Sequence, residues 1–136
     1  MFEMIHEFAV LGTACFMMAL ATVWYSPMVF GSMWMKEVGL TDEMVEKTRP
    51  DMWKHMLLTF GSYVVMLGLL SLMVAYAPML KLEPLVAAGY LSLFVAAAGV
   101  PTILLEGRSI RYYGIYVGFY VLFILLGVLI LQYWPW

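Results

Sequence analysis

Two motifs in the sequence contain residue types that form binding sites at a membrane surface. The first is an aromatic run that ends in a hydroxyl and is followed by another tryptophan. The second is a carboxylate and a guanidinium two positions apart, which bind polar groups through charge-assisted hydrogen bonds. With a histidine that lies between the motifs, the candidate binding residues are Trp24, Tyr25, Ser26, Trp34, His55, Glu106 and Arg108.

A structural interpretation of these residues stands beside the functional one. Contacts between Glu106 and Arg108 would tie the loops together as a latch, and Pro27 would fix the direction in which the chain leaves its helix. A single interfacial histidine such as His55 is often simply hydrated. The sequence has no nucleophile–base pair, no HExxH motif and no phosphate-binding glycine loop, so we assign no catalytic residue and no cofactor.

Two further sets of residues have metal-ligand chemistry but are explained better without a metal. Glu3, His6 and Glu7 share one helical face, as residues at a hydrated helix end do. The chain also has 13 methionines, whose thioethers suit Cu(I) but which are equally flexible fillers of apolar cores. We therefore predict packing roles for the methionines and no metal site.

The composition places these residues in a membrane protein. The chain has 136 residues, of which 65% are hydrophobic and 12% are charged, whereas a soluble domain is about 45–50% apolar and about 25% charged. A net charge of −2 excludes a basic nucleic-acid-binding protein. The lone Cys15 excludes an intrachain disulfide.

Four apolar stretches have the length of about 20 residues that a membrane-spanning helix needs. We predict an all-α, integral membrane four-helix bundle that forms one domain over residues 1–136, with spans at about 5–25, 52–77, 85–105 and 110–133. Pro84 and Ser109 fit helix starts, and Gly107 fits a helix end.

The polar segment 26–51 lies between the first two spans. It is predicted to hold a short amphipathic interfacial helix that Ser26 caps and Gly39 ends. Thr41 is expected to cap another short helix, and Asp51 to cap the second span.

The distribution of Lys and Arg predicts the orientation of the bundle. Six of these residues fall in the first and third loops or in the first turn of the span that follows, whereas only Lys81 falls in the second loop or the termini. Because short loops rich in Lys and Arg stay in the cytoplasm, we expect both termini outside the cell membrane and loop 26–51 inside. Both motifs then lie on the cytoplasmic side, which suggests one shared inner-face site.

Small residues indicate close helix packing. Gly114 and Gly118 form a GxxxG motif in the fourth span, which lets helix backbones approach within the chain or between chains. The middle of every span is free of charged residues, which argues against a proton relay or an ion-coupled carrier.

The order of the motifs resembles a known family. Trp24-Tyr25-Ser26-Pro27, Phe30-Gly31 and Trp34, followed by Glu106-Gly107-Arg108 and an aromatic fourth helix, resemble small prokaryotic four-helix membrane proteins catalogued as domain of unknown function 1761. The resemblance covers nearly the whole chain. It implies a multi-pass membrane protein and transfers no activity.

Three functions follow as hypotheses. The first is a structural or interaction protein that forms homo-oligomers or accompanies a membrane-protein partner in the lipid bilayer. The second is a subunit of a small oligomeric transporter or channel. The third, ranked last, is a membrane enzyme or lipid-binding module that uses the inner-face site.

Overall fold

Helices and turns make up the computed structural model, which describes residues 6–135 and contains no strand within that range. The helices, in chain order, are α1 Glu7–Trp24, α2 Gly31–Val38, α3 Asp42–Thr48, α4 Met52–Tyr76, α5 Pro84–Leu104 and α6 Ile110–Tyr133. Short 3-10 turns, Arg49–Asp51 and Ala77–Leu80, flank α4. Helices α1, α4, α5 and α6 are long and apolar enough to cross a membrane, which confirms the predicted fold class.

The observed helix limits agree closely with the predicted spans. Pro84 lies in the first turn of α5, and the Ser109 hydroxyl caps α6 by accepting a hydrogen bond from Tyr112 N at 3.1 Å. Gly107 has a φ of +67° between α5 and α6, where only glycine avoids strain. The predicted first residue of the first span, Ile5, lies outside the described residues, as does Glu3.

One predicted helix cap is wrong, and a second is confirmed in its position but not in its hydrogen bond. Ser26 does not begin the interfacial helix: its hydroxyl donates back to Val23 O at 2.7 Å, and α2 begins only at Gly31. Asp51 is the N-cap residue of α4, as predicted, but it makes no side-chain capping bond; its carboxylate pairs with Lys54 at 2.9 Å.

The other two predictions for this segment are confirmed. Gly39 follows α2 with a φ of +74°, and the Thr41 hydroxyl caps α3 by accepting a hydrogen bond from Met44 N at 3.3 Å.

Helix α6 lies at the centre of the bundle. It contacts α1, α2, α4 and α5, and its side chains Phe119, Phe123, Val128 and Leu131 are buried. Helix α5 packs chiefly on α6 and is the most exposed of the four long helices. A hydrogen bond from the Tyr113 hydroxyl to Ala96 O, at 2.6 Å, joins these two helices.

The four long helices alternate in direction, so the bundle has two distinct ends. At the first end, Gly12 of α1 lies beside the ring of Trp134, which follows α6, so this is the termini end. At the other end lie the last turn of α1, α2, α3, the first turn of α4 and the α5–α6 turn; this is the loop end. The candidate residues from both motifs lie at the loop end.

Candidate functional site

A tight reversal of the chain joins α1 to α2 and contains most of the first motif. Phe30 N donates to Trp24 O at 3.1 Å, and Gly31 N donates to Ser26 O at 2.8 Å. A Cβ atom on Gly31 would overlap the Tyr25 carbonyl oxygen and lie 2.7 Å from Ser26 O, so only glycine fits. The part of the motif from Ser26 to Gly31 is therefore a backbone turn, and it directs α2 across the end of the bundle.

Trp24 anchors this reversal to the central helix. Its indole Nε1 donates to Ile115 O of α6 at 3.1 Å, and its ring packs on Phe30 with centroids 4.6 Å apart. Gly118 faces the same ring, since a Cβ there would lie 3.6 Å from it, whereas a Cβ on Gly114 would meet no atom within 4 Å. Trp24 and Gly118 thus pack together within the chain, and Gly114 leaves an open position on α6.

A cavity of about 650 Å³ lies where α1 and α4 separate at the loop end. Each helix lines it with one stripe of residues at spacings of three and four, which places the side chains on a single face. The α1 stripe is Met18, Ala21, Thr22 and Tyr25, and the α4 stripe is Met52, His55, Met56 and Thr59.

The segment between α1 and α4 covers this cavity. Trp34, Met35 and Leu40 from the α2 region, with Val45 and Thr48 of α3, complete its lining. The Trp34 ring packs edge-on against the Tyr25 ring, with centroids 5.5 Å apart. The structure therefore brings together three of the candidate residues, Tyr25, Trp34 and His55, around one cavity.

The second motif stands apart from the lining. Glu106 is exposed, and the Arg108 guanidinium lies over the ring of Tyr112 at 5.2 Å from its centroid. Among residues 6–135, the ion pairs are local ones within the α3–α4 region, and neither Glu106 nor Arg108 takes part in one. The two charged residues do not form the latch that the structural interpretation suggested.

A different pair of residues links the loops. The Ser109 hydroxyl donates to the Glu37 carboxylate at 2.5 Å and so connects the α5–α6 turn to α2. Sequence reasoning had given Ser109 only a capping role and had not singled out Glu37. The position of Glu37 in the sequence could have indicated this role. Glu37 follows Trp34 by three residues and so lies on the same side of α2.

The lining of the cavity is mostly apolar. None of its thirteen described residues is Asp, Glu, Lys or Arg. Burial raises the pKa of the Tyr25 phenol, which follows the last residue of α1, to about 12, so this hydroxyl keeps its proton. Within residues 6–135, no three His, Cys, Asp or Glu side chains are grouped to hold a metal ion.

The size and the lining of the cavity are those of a ligand pocket. Ligand pockets in proteins have volumes of about 300–1,000 Å³ and are lined mainly by apolar and aromatic side chains with a few polar groups. The cavity matches that description in size and in lining. Its polar groups include the hydroxyls of Thr22, Tyr25, Thr48 and Thr59 and the imidazole of His55, which are hydrogen-bonding groups.

The chain was also compared with known proteins. No curated protein and no solved structure matches it. A family model described as "Protein of unknown function (DUF1761)" matches residues 8–132, which covers all four long helices and both motifs. The chain therefore belongs to this family of proteins of unknown function, as the order of its motifs had suggested.

Proposed function

We propose that this protein is a membrane-embedded binding protein that holds a small molecule in the loop-end cavity. The observation that carries the proposal is the cavity itself, which two helical stripes and the segment between α1 and α4 line. This shifts the emphasis from the interaction protein that the sequence ranked first to the binding module that it ranked last. The charge-free middles of the spans favour binding over ion transport.

A cavity-filling substitution tests this function. Ala21 lines the cavity, whereas Ala19 lies two residues away on the same helix and is exposed outside it. Native mass spectrometry of the protein released gently from its own membrane reads the retained small molecules. We expect Ala21→Trp to abolish a retained mass that the wild type and Ala19→Trp both keep. Equal retention by all three proteins would contradict the proposal.

The orientation predicted from Lys and Arg belongs to the same proposal. It places the loop end, and hence the cavity, in the cytoplasm and both termini outside. A reporter that is active only in the cytoplasm is expected to be silent at the C-terminus and active when inserted in the α2–α3 turn at Gly39. The reverse pattern would place the cavity on the outer side.

Self-association is a second candidate function, and two glycines of α4 favour it. A Cβ on Gly61 or Gly68 would meet no atom within 4 Å, whereas one on Gly99 or Gly127 would touch a neighbouring helix. Because glycine weakens a helix by about 1 kcal/mol relative to alanine, glycines unused within a chain suit contact with a second copy. The two lie seven residues apart and therefore on one face of α4.

The same mass spectrum reads this second candidate. A homodimer is expected for the wild type and a monomer for Gly61→Leu combined with Gly68→Leu. Gly89→Leu is the matched control, because Gly89 is also open but lies on α5. A monomeric wild type, or a dimer that survives the double substitution, would contradict an α4 interface.

A further inference from the structure

The threonines around the cavity offer hydrogen-bond acceptors rather than donors. Thr22, Thr48 and Thr59 come from α1, α3 and α4 and line three sides of it. Each hydroxyl already donates its proton to a main-chain carbonyl three or four residues earlier, at 2.9, 2.8 and 2.8 Å respectively. Since a hydroxyl has a single proton, only the lone pairs of these oxygens are available to a ligand. A ligand that satisfies them must itself be a donor.

Six of the charged residues near the cavity are paired with one another. In and beside α3, three carboxylates pair with three cations at 3.3, 3.0 and 2.9 Å: Glu43 with Lys47, Glu46 with Arg49, and Asp51 with Lys54. The lining itself contains no Asp, Glu, Lys or Arg. An anionic headgroup would therefore enter the cavity without a Lys or Arg partner, and a cationic one without a carboxylate, which is costly in a mostly apolar site.

The rest of the lining suits an alkyl chain. Four methionines, from α1, α2 and α4, contribute to it: Met18, Met35, Met52 and Met56. Methionine is unbranched and flexible, so it adapts to apolar ligands of variable shape. The cavity also lies where the apolar spans α1 and α4 meet the polar loop, the level at which an amphiphile changes from chain to headgroup.

We propose that the ligand of this cavity is an uncharged single-chain amphiphile whose headgroup carries hydroxyl donors, as a monoacylglycerol does. This inference rests on the proposed function and adds the class of ligand. The threonine oxygens accept the headgroup hydroxyls, and the methionines contact the chain. Tyr25 and Trp34 close one side of the site by their edge-on ring contact.

Three probes that share one acyl chain and differ in their headgroups test which headgroup chemistry the cavity prefers. Monoolein is neutral and has hydroxyl donors, methyl oleate is neutral without donors, and oleate is anionic without donors. The protein is held in a detergent that lacks hydroxyl groups, so that the detergent does not compete for the cavity. Equal amounts of the three probes are then added. Native mass spectrometry is expected to show monoolein bound about tenfold over methyl oleate, with oleate bound least.

Two substitutions connect this preference to the residues. Thr22→Val combined with Thr59→Val keeps the shape of the site but removes two of the three threonine acceptors, and is expected to reduce the preference to about twofold. Thr102→Val is the matched control, because Thr102 makes the same kind of bond to a carbonyl, Gly99 O at 2.7 Å, but lies on α5 outside the cavity. It is expected to keep the full preference.

The outcomes distinguish the inference from the function beneath it. If Ala21→Trp abolishes probe binding, but the wild type favours oleate or does not discriminate among the probes, the ligand class is overturned and the binding function stands. Binding of all three probes that is unaffected by Ala21→Trp, or no binding of any probe, would overturn both. A preference for monoolein that survives the threonine substitutions would overturn the assigned acceptors.

Discussion

Helices α1 and α4 are closed against each other at one end of the bundle and open at the other. Towards the termini end, Met17 of α1 and Leu67 of α4 are fully buried, and a Cβ on Gly127 of α6 would lie 3.1 Å from Leu67 Cδ2. At the loop end, His55 and Met56 of α4 are exposed beside the cavity, and Met18 and Ala21 of α1 are only half-buried.

The size of the interface residues explains this difference. In the closed half, α1 contributes Ala9, Thr13 and Ala14, whose small side chains allow helices to approach closely. In the open half, the ring of Phe119 from α6 contacts Trp24 of α1 at 6.1 Å and Tyr63 of α4 at 6.2 Å. An aromatic layer of this size prevents close approach of the two helices. The open end is therefore a consequence of how these side chains pack.

The largest expected effect comes from Gly31, which permits the chain reversal that places α2 over the open end of the bundle. Gly31→Ala places a Cβ against the main-chain atoms of Tyr25 and Ser26, which cannot move away as a flexible side chain does. We expect a loss of about 4 kcal/mol in the free energy of unfolding, at the upper end for single substitutions. Titration with sodium dodecyl sulfate in mixed micelles, followed by circular dichroism, measures it.

Gly89→Ala is the control for this substitution. Gly89 also lies in a helix, but its Cβ would meet no atom within 4 Å. The greater helix propensity of alanine is expected to stabilise this variant by up to about 1 kcal/mol. A Gly31→Ala protein as stable as Gly89→Ala would show that the reversal does not depend on glycine.

The second effect compares the closed and open halves directly. Leu67→Ala removes a fully buried side chain from the closed half and is expected to cost about 3 kcal/mol, since it leaves a cavity in a packed core. Met56→Ala removes a side chain that is 48% exposed at the open end and is expected to cost less than about 1 kcal/mol. Equal losses in the same titration would show that the open end is packed as tightly as the closed end.

The sequence predicted the spans well because a single physical requirement governs them. A membrane-crossing helix must be long and apolar, so α4, α5 and α6 were predicted to within one residue at each end. The cap at Ser26 was wrong because a serine after a helix also donates to the preceding turn, and local sequence does not distinguish the two bonds.

The site was predicted only where its residues follow helical spacing. Tyr25 and His55 were each singled out from the sequence, and both line the cavity. That they share one cavity depends on the separation of α1 and α4, and the ring of Phe119 on α6 lies at that separation. Glu37 was missed because its partner, Ser109, lies 72 residues away. Composition and periodicity describe each helix alone and carry no information on such pairings.

The smallest expected effect concerns what holds the loops over the open end. In a double-mutant cycle of Ser109→Ala and Glu37→Ala, we expect a coupling of about 1 kcal/mol, because the hydroxyl and the carboxylate are hydrogen-bonded. The same cycle with Glu106→Gln and Arg108→Gln is expected to give no coupling within about 0.3 kcal/mol, since these two residues form no ion pair within residues 6–135. Coupling in the second cycle but not in the first would restore the latch inferred from the sequence. It would then be Glu106 and Arg108, rather than Ser109 and Glu37, that close the loop end of the bundle.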